Sequence, residues 1–250
     1  MPNKKVLVAG VALSDKPNHA VSIMDGLAKS VDWEIDQKWH VIGERILPRT
    51  KHIISSSQNR EEKFMILNRI TKEVDLPSYE YLFVFDDDVE IPHNFIDRYL
   101  HIARRRGYSL SQPARTHTSY IDHYFVSQLL GIESRRTNFV EIGPVTCIHR
   151  SAYPHLLPFD LSAPMGWGLD FCWPIILNRH KLKMGIIDQV PIEHSLRKPV
   201  TYYNYDETEA RMRHFLAKTP HISHQAAFSA VETYCLVESN KLNMAQTEHS

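Results

Sequence analysis

Cysteine, glycine and net charge are all in short supply, and each shortage closes off a class of function. Three cysteines, Cys147, Cys172 and Cys235, are too few and too scattered for a disulfide framework or a thiolate zinc site. The nine glycines do not form a phosphate cradle. The turn after the first apolar run, Gly10-Val11-Ala12-Leu13-Ser14-Asp15, has neither dinucleotide-binding nor P-loop spacing. A phosphate-bearing ligand therefore needs other partners. Lysine plus arginine equals aspartate plus glutamate, 29 each, so no overall field recruits nucleic acid or an anionic membrane. The local cluster Arg104-Arg105-Arg106 reads as the last turn of a helix that Gly107 ends, where cations offset the helix dipole. Long apolar runs are missing too: no window approaches the roughly 18 residues of a membrane span. The first residues pass straight into Val6-Leu7-Val8-Ala9 without the apolar segment of a secretory signal. The expected location is cytoplasmic, although a trimmed luminal domain reads the same way.

What is present is a regular alternation. Residues 6–9 read as a buried strand, 20–30 as an amphipathic helix, 39–42 and 52–55 as further strands and 61–74 as a second helix, ahead of a strand over 81–85. Strands alternating with helices predict an α/β fold with a mainly parallel central sheet flanked by helices. Strands are also expected at 110–113, 139–149 and 186–190, while 115–138 has no clear period. From residue 207 onward, through 226–236, the pattern is helical, so a helical C-terminal segment is expected. The whole reads as one domain over 1–238, with a disordered polar tail over 239–250.

The most telling junction follows Tyr81-Leu82-Phe83-Val84-Phe85, where three carboxylates, Asp86-Asp87-Asp88, stand in a row. An uninterrupted apolar run of this length suits a strand buried on both faces. Ligands of open α/β sheets bind beyond such strand ends. Carboxylates about 5 Å apart repel by about 3 kcal/mol at an effective dielectric near 20, and a hard divalent cation relieves this because it prefers oxygen ligands. The competing explanation is a helix starting near Pro92, whose dipole favours nearby acids. That accounts for one acid more easily than for three.

Two further elements carry chemistry. In Gly166-Trp167-Gly168-Leu169-Asp170, paired glycines around a tryptophan permit close backbone approach beside an aromatic platform, as a sugar ring requires. Asp170 precedes an apolar helix, so it reads either as a helix-capping acid, worth about 1 kcal/mol, or as a functional carboxylate. His194 follows a short apolar strand and is one of 15 histidines, most of which need no role as ligands. Arg60 and Lys63 lie on the helix ahead of the acid-tipped strand, either as a solvated face or as charge for phosphate.

The order of these elements resembles a metal-dependent glycosyltransferase of the GT-A type. The match is closer to a plant-prevalent domain family of unknown function. Its acid tripeptide, Ser-Gln-Pro-Ala segment, Trp-Gly-Leu-Asp motif, Gly-Val-Val-Asp strand and His have counterparts in Asp86-Asp87-Asp88, Ser111-Gln112-Pro113-Ala114, Trp167-Gly168-Leu169-Asp170, Gly185-Ile186-Ile187-Asp188 and His194. Asp87 stands where that family tends to have Glu, and Met165-Gly166 where it has His-Ala. The resemblance implies a GT-A-like fold and a nucleotide-sugar donor with a glycan or other hydroxyl acceptor. It also implies Mn²⁺ or Mg²⁺ on Asp86, Asp88 and His194, with Asp87 on the ribose or sugar. Asp170 becomes the general base of an inverting transfer, and Gly166, Trp167 and Gly168 shape the substrate sites, with Arg60 and Lys63 near phosphate. A metal-dependent phosphoesterase, or a non-catalytic sugar- or nucleotide-binding domain with the same fold, competes with this reading.

Overall fold

In the computed structural model, which describes residues 4–45, 47–48, 50–59, 61–198 and 204–236, strand β1 (Lys5–Leu13) shows why apolar residues run on without interruption. Val6 and Val8 point into one core and Leu7 and Ala9 into a second on the opposite face. The acid-tipped strand repeats the division, with Phe83 and Phe85 on the first face and Leu82 and Val84 on the second. Each face is roofed by helices, so neither tolerates a polar residue. Arg60 and the tail over 239–250 lie outside the described residues.

β1 is followed by α1 (Ala20–Leu27), β2 (Glu34–Ile42), β3 (Ile53–Ser57), α2 (Lys63–Lys72), β4 (Tyr81–Asp86), α3 (Phe95–Arg106) and β5 (Tyr108–Arg115). Then come β6 (Ile132–Thr137), β7 (Val145–His149), α4 (Tyr153–Leu156), α5 (Leu169–Arg179), β8 (Lys183–Ile192), α6 (Tyr205–Leu216), α7 (His224–Ala227) and β9 (Ala230–Cys235). Among the described residues the strands form one sheet in the order β3-β2-β1-β4-β7-β5-β8-β6-β9. No helix there is long and apolar enough to cross a membrane.

The sheet is mixed rather than mainly parallel. β3, β2, β1 and β4 pair in parallel, as do β5 and β8, but β7 runs antiparallel to both β4 and β5, and β6 runs antiparallel to β8 and β9. Parallel neighbours need a long crossover. The connections over 116–131 and 138–144 carry no α-helix, and of the strand expected over 139–149 only Val145–His149 forms, a short segment that reads the same in either direction.

The C-terminal segment also departs from expectation, because after α6 and α7 it ends in strand β9. Its side chains alternate, with Glu232 and Tyr234 half-buried and their neighbours exposed. Arg136 donates to Glu232 at 2.7 Å and the Arg106 guanidinium lies 3.7 Å from the Tyr234 ring, so tertiary pairing overrides the helical pattern. α3 begins at Phe95, after Asn94, which leaves Pro92 outside the helix. Its first-turn acid is Asp97; the carboxylates at 86–88 do not serve its dipole. Gly107, with φ of 69°, ends α3 immediately after Arg106, as its position in the sequence suggests.

Candidate active site at the carboxyl ends of β1 and β4

β1 and β4 are neighbours although β2 and β3 lie between them in sequence, so the chain reverses its progress across the sheet at this point. Such a switch point opens a crevice beyond the strand ends. Asp87 ties its two sides together: the Leu13 amide donates to Asp87 Oδ2 at 2.6 Å and the His19 amide donates to its backbone oxygen at 2.6 Å. A cavity of about 780 Å³ opens here, and its lining includes Asp86, Asp87, Asp88, His194 and Lys63 together with Trp167, Gly168 and Asp170.

The three acids meet three different environments. Lys63, first residue of α2, places Nζ 2.6 Å from Asp86 Oδ1. Gly143 lets this pair sit against the backbone, since a Cβ there would come within 3.1 Å of both Asp86 Oδ2 and Lys63 Nζ. Asp87 is buried and paired with Arg197; burial pushes its carboxyl up to about 6, against the opposing charge and hydrogen bonds of Arg197. Burial also works to raise Asp88, but His194 and Arg197 outweigh it and hold that carboxyl below its ordinary range. Arg197 spans both, donating through Nε to Asp88 Oδ2 at 3.0 Å while its Nη2 reaches Asp87.

His194 is delivered by β8. The chain leaving β8 is bridged to the chain leaving β4, Glu90 and Glu193 exchanging backbone hydrogen bonds of 2.8 and 3.1 Å. This leaves His194 Nε2 3.3 Å from Asp88 Oδ1. At this separation the two side chains are hydrogen-bonded to each other, and neighbouring ligands on one octahedral cation, at about 2.1 Å from it, lie at a similar separation of about 3 Å. The other ring nitrogen, Nδ1, faces Arg115 Nη1 at 3.5 Å, too long to fix the ring's tautomer. Among the described residues no group of three or more His, Cys, Asp and Glu side chains is spaced to hold a metal by itself. Two protein donors nevertheless suit a divalent ion that completes its shell with substrate phosphates and water.

A further part of the lining comes from the start of α5. Gly168, at φ of 98°, is its N-cap and makes no side-chain cap, while Asp170 sits in the first turn and accepts at 3.1 Å from the Phe171 amide. Asp170 is 6% exposed. Burial pushes its carboxyl up to about 7, His123 opposing and Glu141 reinforcing the rise. Trp167, edge-on to Tyr205 at 5.3 Å, flanks it at the cavity wall. Gly166 stands behind that wall rather than on it: its φ of 82° and the Phe64 ring leave no room for a Cβ.

Four residues of the site escape a reading of the chain alone. Arg197 is three positions beyond His194, and a cation so close after a candidate ligand is the signal that marks it. Arg115, buried at the end of β5, donates to Glu141 at 2.5 Å and to the Gly143 and Tyr120 carbonyl oxygens at 2.9 Å each. Glu141 also meets His123 Nδ1 at 2.9 Å. A lone acid in Val140-Glu141-Ile142 marks that position; nothing local marks Arg115 or His123.

Residues 47–165 match the model of a family described as "Protein of unknown function (DUF707)". The matched segment contains the acid cluster, Arg115, His123 and Glu141 and stops short of Asp170 and His194. No curated protein matches. In fold the chain is similar to GalNAc-T7, a GT-A glycosyltransferase whose crystal structure holds UDP, GalNAc and Mn²⁺. The TM-score is 0.56 over 83% of this chain, at 10% sequence identity. The chain spans about half of that structure, 48% of its length.

Proposed function

We propose that this protein transfers a sugar from a nucleoside-diphosphate sugar to an acceptor hydroxyl. The supporting observation is that one cavity joins a cluster of acids and cations at the β1–β4 switch point to a buried, near-neutral carboxylate, Asp170, on the facing helix. A leaving-group side and a proton-accepting side thus meet at one place.

On the donor side, Arg197 and Lys63 offer the cationic donors that a diphosphate takes up. Asp87, anchored by the Leu13 amide, accepts from ribose or sugar hydroxyls. Asp88 and His194 would hold a divalent cation, Mn²⁺ or Mg²⁺, whose chemistry there is neutralisation of charge on the departing diphosphate. Asp86, turned to Lys63, supports the same half. On the acceptor side, Trp167 and the Gly168 backbone shape the wall, and Asp170 takes the proton of the attacking hydroxyl. The new bond forms from the acceptor oxygen to the anomeric carbon as the bond to the diphosphate oxygen breaks, in one displacement that inverts the centre. A base near 7 is matched to this task at neutral pH.

The test is incubation with a panel of nucleotide sugars, Mn²⁺ or Mg²⁺ and acceptor alcohols, followed by phosphorus NMR. A transferase releases nucleoside diphosphate, faster with acceptor present. Cleavage of phosphate esters generally, or no turnover beside tight binding, overturns the assignment.

A further inference from the structure

His123 lines the cavity that holds Asp170 and is held as catalytic histidines often are. Its Nδ1 is 2.9 Å from Glu141 Oε1. Glu141 is itself fixed, receiving Arg115 Nη2 at 2.5 Å and, through its backbone amide, bonding Gln112 Oε1 at 2.5 Å. The ring packs edge-on against Phe139 at 5.1 Å, and Phe139 packs on Phe171, next in sequence to Asp170, at 5.4 Å. Nδ1 is therefore committed to Glu141, while Nε2 has no hydrogen-bond partner among the described residues, and the side chain lines the same cavity as Asp170.

We propose that the Glu141–His123 pair sets the charge of Asp170, making His123 a positioning residue for the proton-accepting carboxylate. This rests on the reading of Asp170 as the base. The charged and titratable groups that share the cavity with Asp170 include His123 and Asp122 from the connection between β5 and β6, Glu141 from that between β6 and β7, His194 and Arg197 from beyond β8, Tyr205 and Glu209 from α6 and His224 from α7, with Lys63 and the acids at 86–88 at the strand ends and Arg115 bonded to Glu141. Only His123 combines a fixed carboxylate partner with a ring nitrogen left open. The directions of titration agree: burial works to lower His123, but the Glu141 hydrogen bond and charge raise it overall, with Asp170 adding to the rise. Reciprocally, burial raises Asp170 and His123 is the first influence pulling it down. An imidazolium at this place favours the ionised carboxylate; Glu141 favours the charged ring but by itself pushes Asp170 up, so it is the ring's opposing influence that His123→Gln removes.

Coupling between two sites is reciprocal, which supplies a test that a purely structural role does not satisfy. Asp170 is titrated in the full chain by carbon NMR of labelled aspartate, and His123 by nitrogen NMR of labelled histidine. In His123→Gln the Asp170 midpoint is expected to rise by about one pH unit, tenfold in proton affinity. In Asp170→Asn the His123 midpoint should fall by the same amount. Movement of either midpoint by less than about 0.3 unit, or of one without the other, overturns the proposal. The titrations need no turnover, so their failure leaves the transferase reading standing, and failure of that reading leaves the coupling measurable.

Discussion

Lys63 Nζ stands 2.6 Å from Asp86 Oδ1, so the first acid of the cluster faces a lysine while the third faces His194. The three carboxylates therefore do not converge on one point; they distribute charge along the mouth of the crevice. Lys63→Met should weaken nucleoside diphosphate affinity by about tenfold, or about 1.4 kcal/mol. Because both partners are partly solvated, stability should change by no more than about 1 kcal/mol. Calorimetric titration beside a thermal melt checks both. Unchanged affinity would confine Lys63 to its pairing with Asp86 and remove it from diphosphate binding.

The Asp88–His194 pair makes a sharper demand. Asp88→Asn should remove the Mn²⁺-dependent part of nucleoside diphosphate binding by about 100-fold or more, beyond what loss of a mere outer-shell partner costs. His194→Gln should act in the same direction, while Asp86→Asn should stay within about tenfold. Binding measured with and without Mn²⁺ decides, and equal metal dependence in all variants rules out this pair as the donor set.

Arg197 offsets two carboxylates at once. Arg197→Met leaves Asp87 buried without its cation, and breaking a buried pair from one side costs about 3–5 kcal/mol; half-burial of Arg197 puts the expected loss at the low end. Chemical denaturation measures it. Donor affinity should fall in parallel, and a variant with full stability and full affinity would show that the guanidinium is idle.

The acid cluster at the crevice was readable in the chain because strand β4 is buried on both faces and its end is marked by three acids. Asp170 and His194 emerge only through order along the chain, since each alone has an ordinary explanation. Strand β6 is concealed by its own chemistry: Arg135 lies inside, its Nε and Nη2 each 3.0 Å from the Asp188 carboxylate, so a buried strand reads as Ser-Arg-Arg. The Arg115–Glu141–His123 network joins the end of β5 to the connections before and after β6, with its partners 18 and 26 residues apart, and no local period encodes such pairing.

pH gives an independent handle on Asp170. The carboxyl titrates near 3.8 when unfolded and about 7 when folded. The folded state thus binds the extra proton between those values, and the contribution of Asp170 to stability falls as pH rises through that window. Above it, the buried charge costs on the order of 4 kcal/mol. Asp170→Asn should therefore be more stable than the wild type at pH 8 and should lose this pH dependence. A helix-capping acid would behave oppositely, its loss costing about 1 kcal/mol. In the wild type, transfer at saturating donor should climb about tenfold per unit up to pH near 7 and then level off. A flat profile would detach Asp170 from chemistry.

The division of one cavity into a donor half and a proton-accepting half is tested most directly by measuring donor affinity and single-turnover transfer together in Asp170→Asn. Donor affinity within a few-fold of wild type, with transfer reduced by about 10²-fold or more, is the expected result. Transfer at the wild-type rate, or collapse of donor binding along with it, would contradict the assignment of Asp170 to the acceptor side.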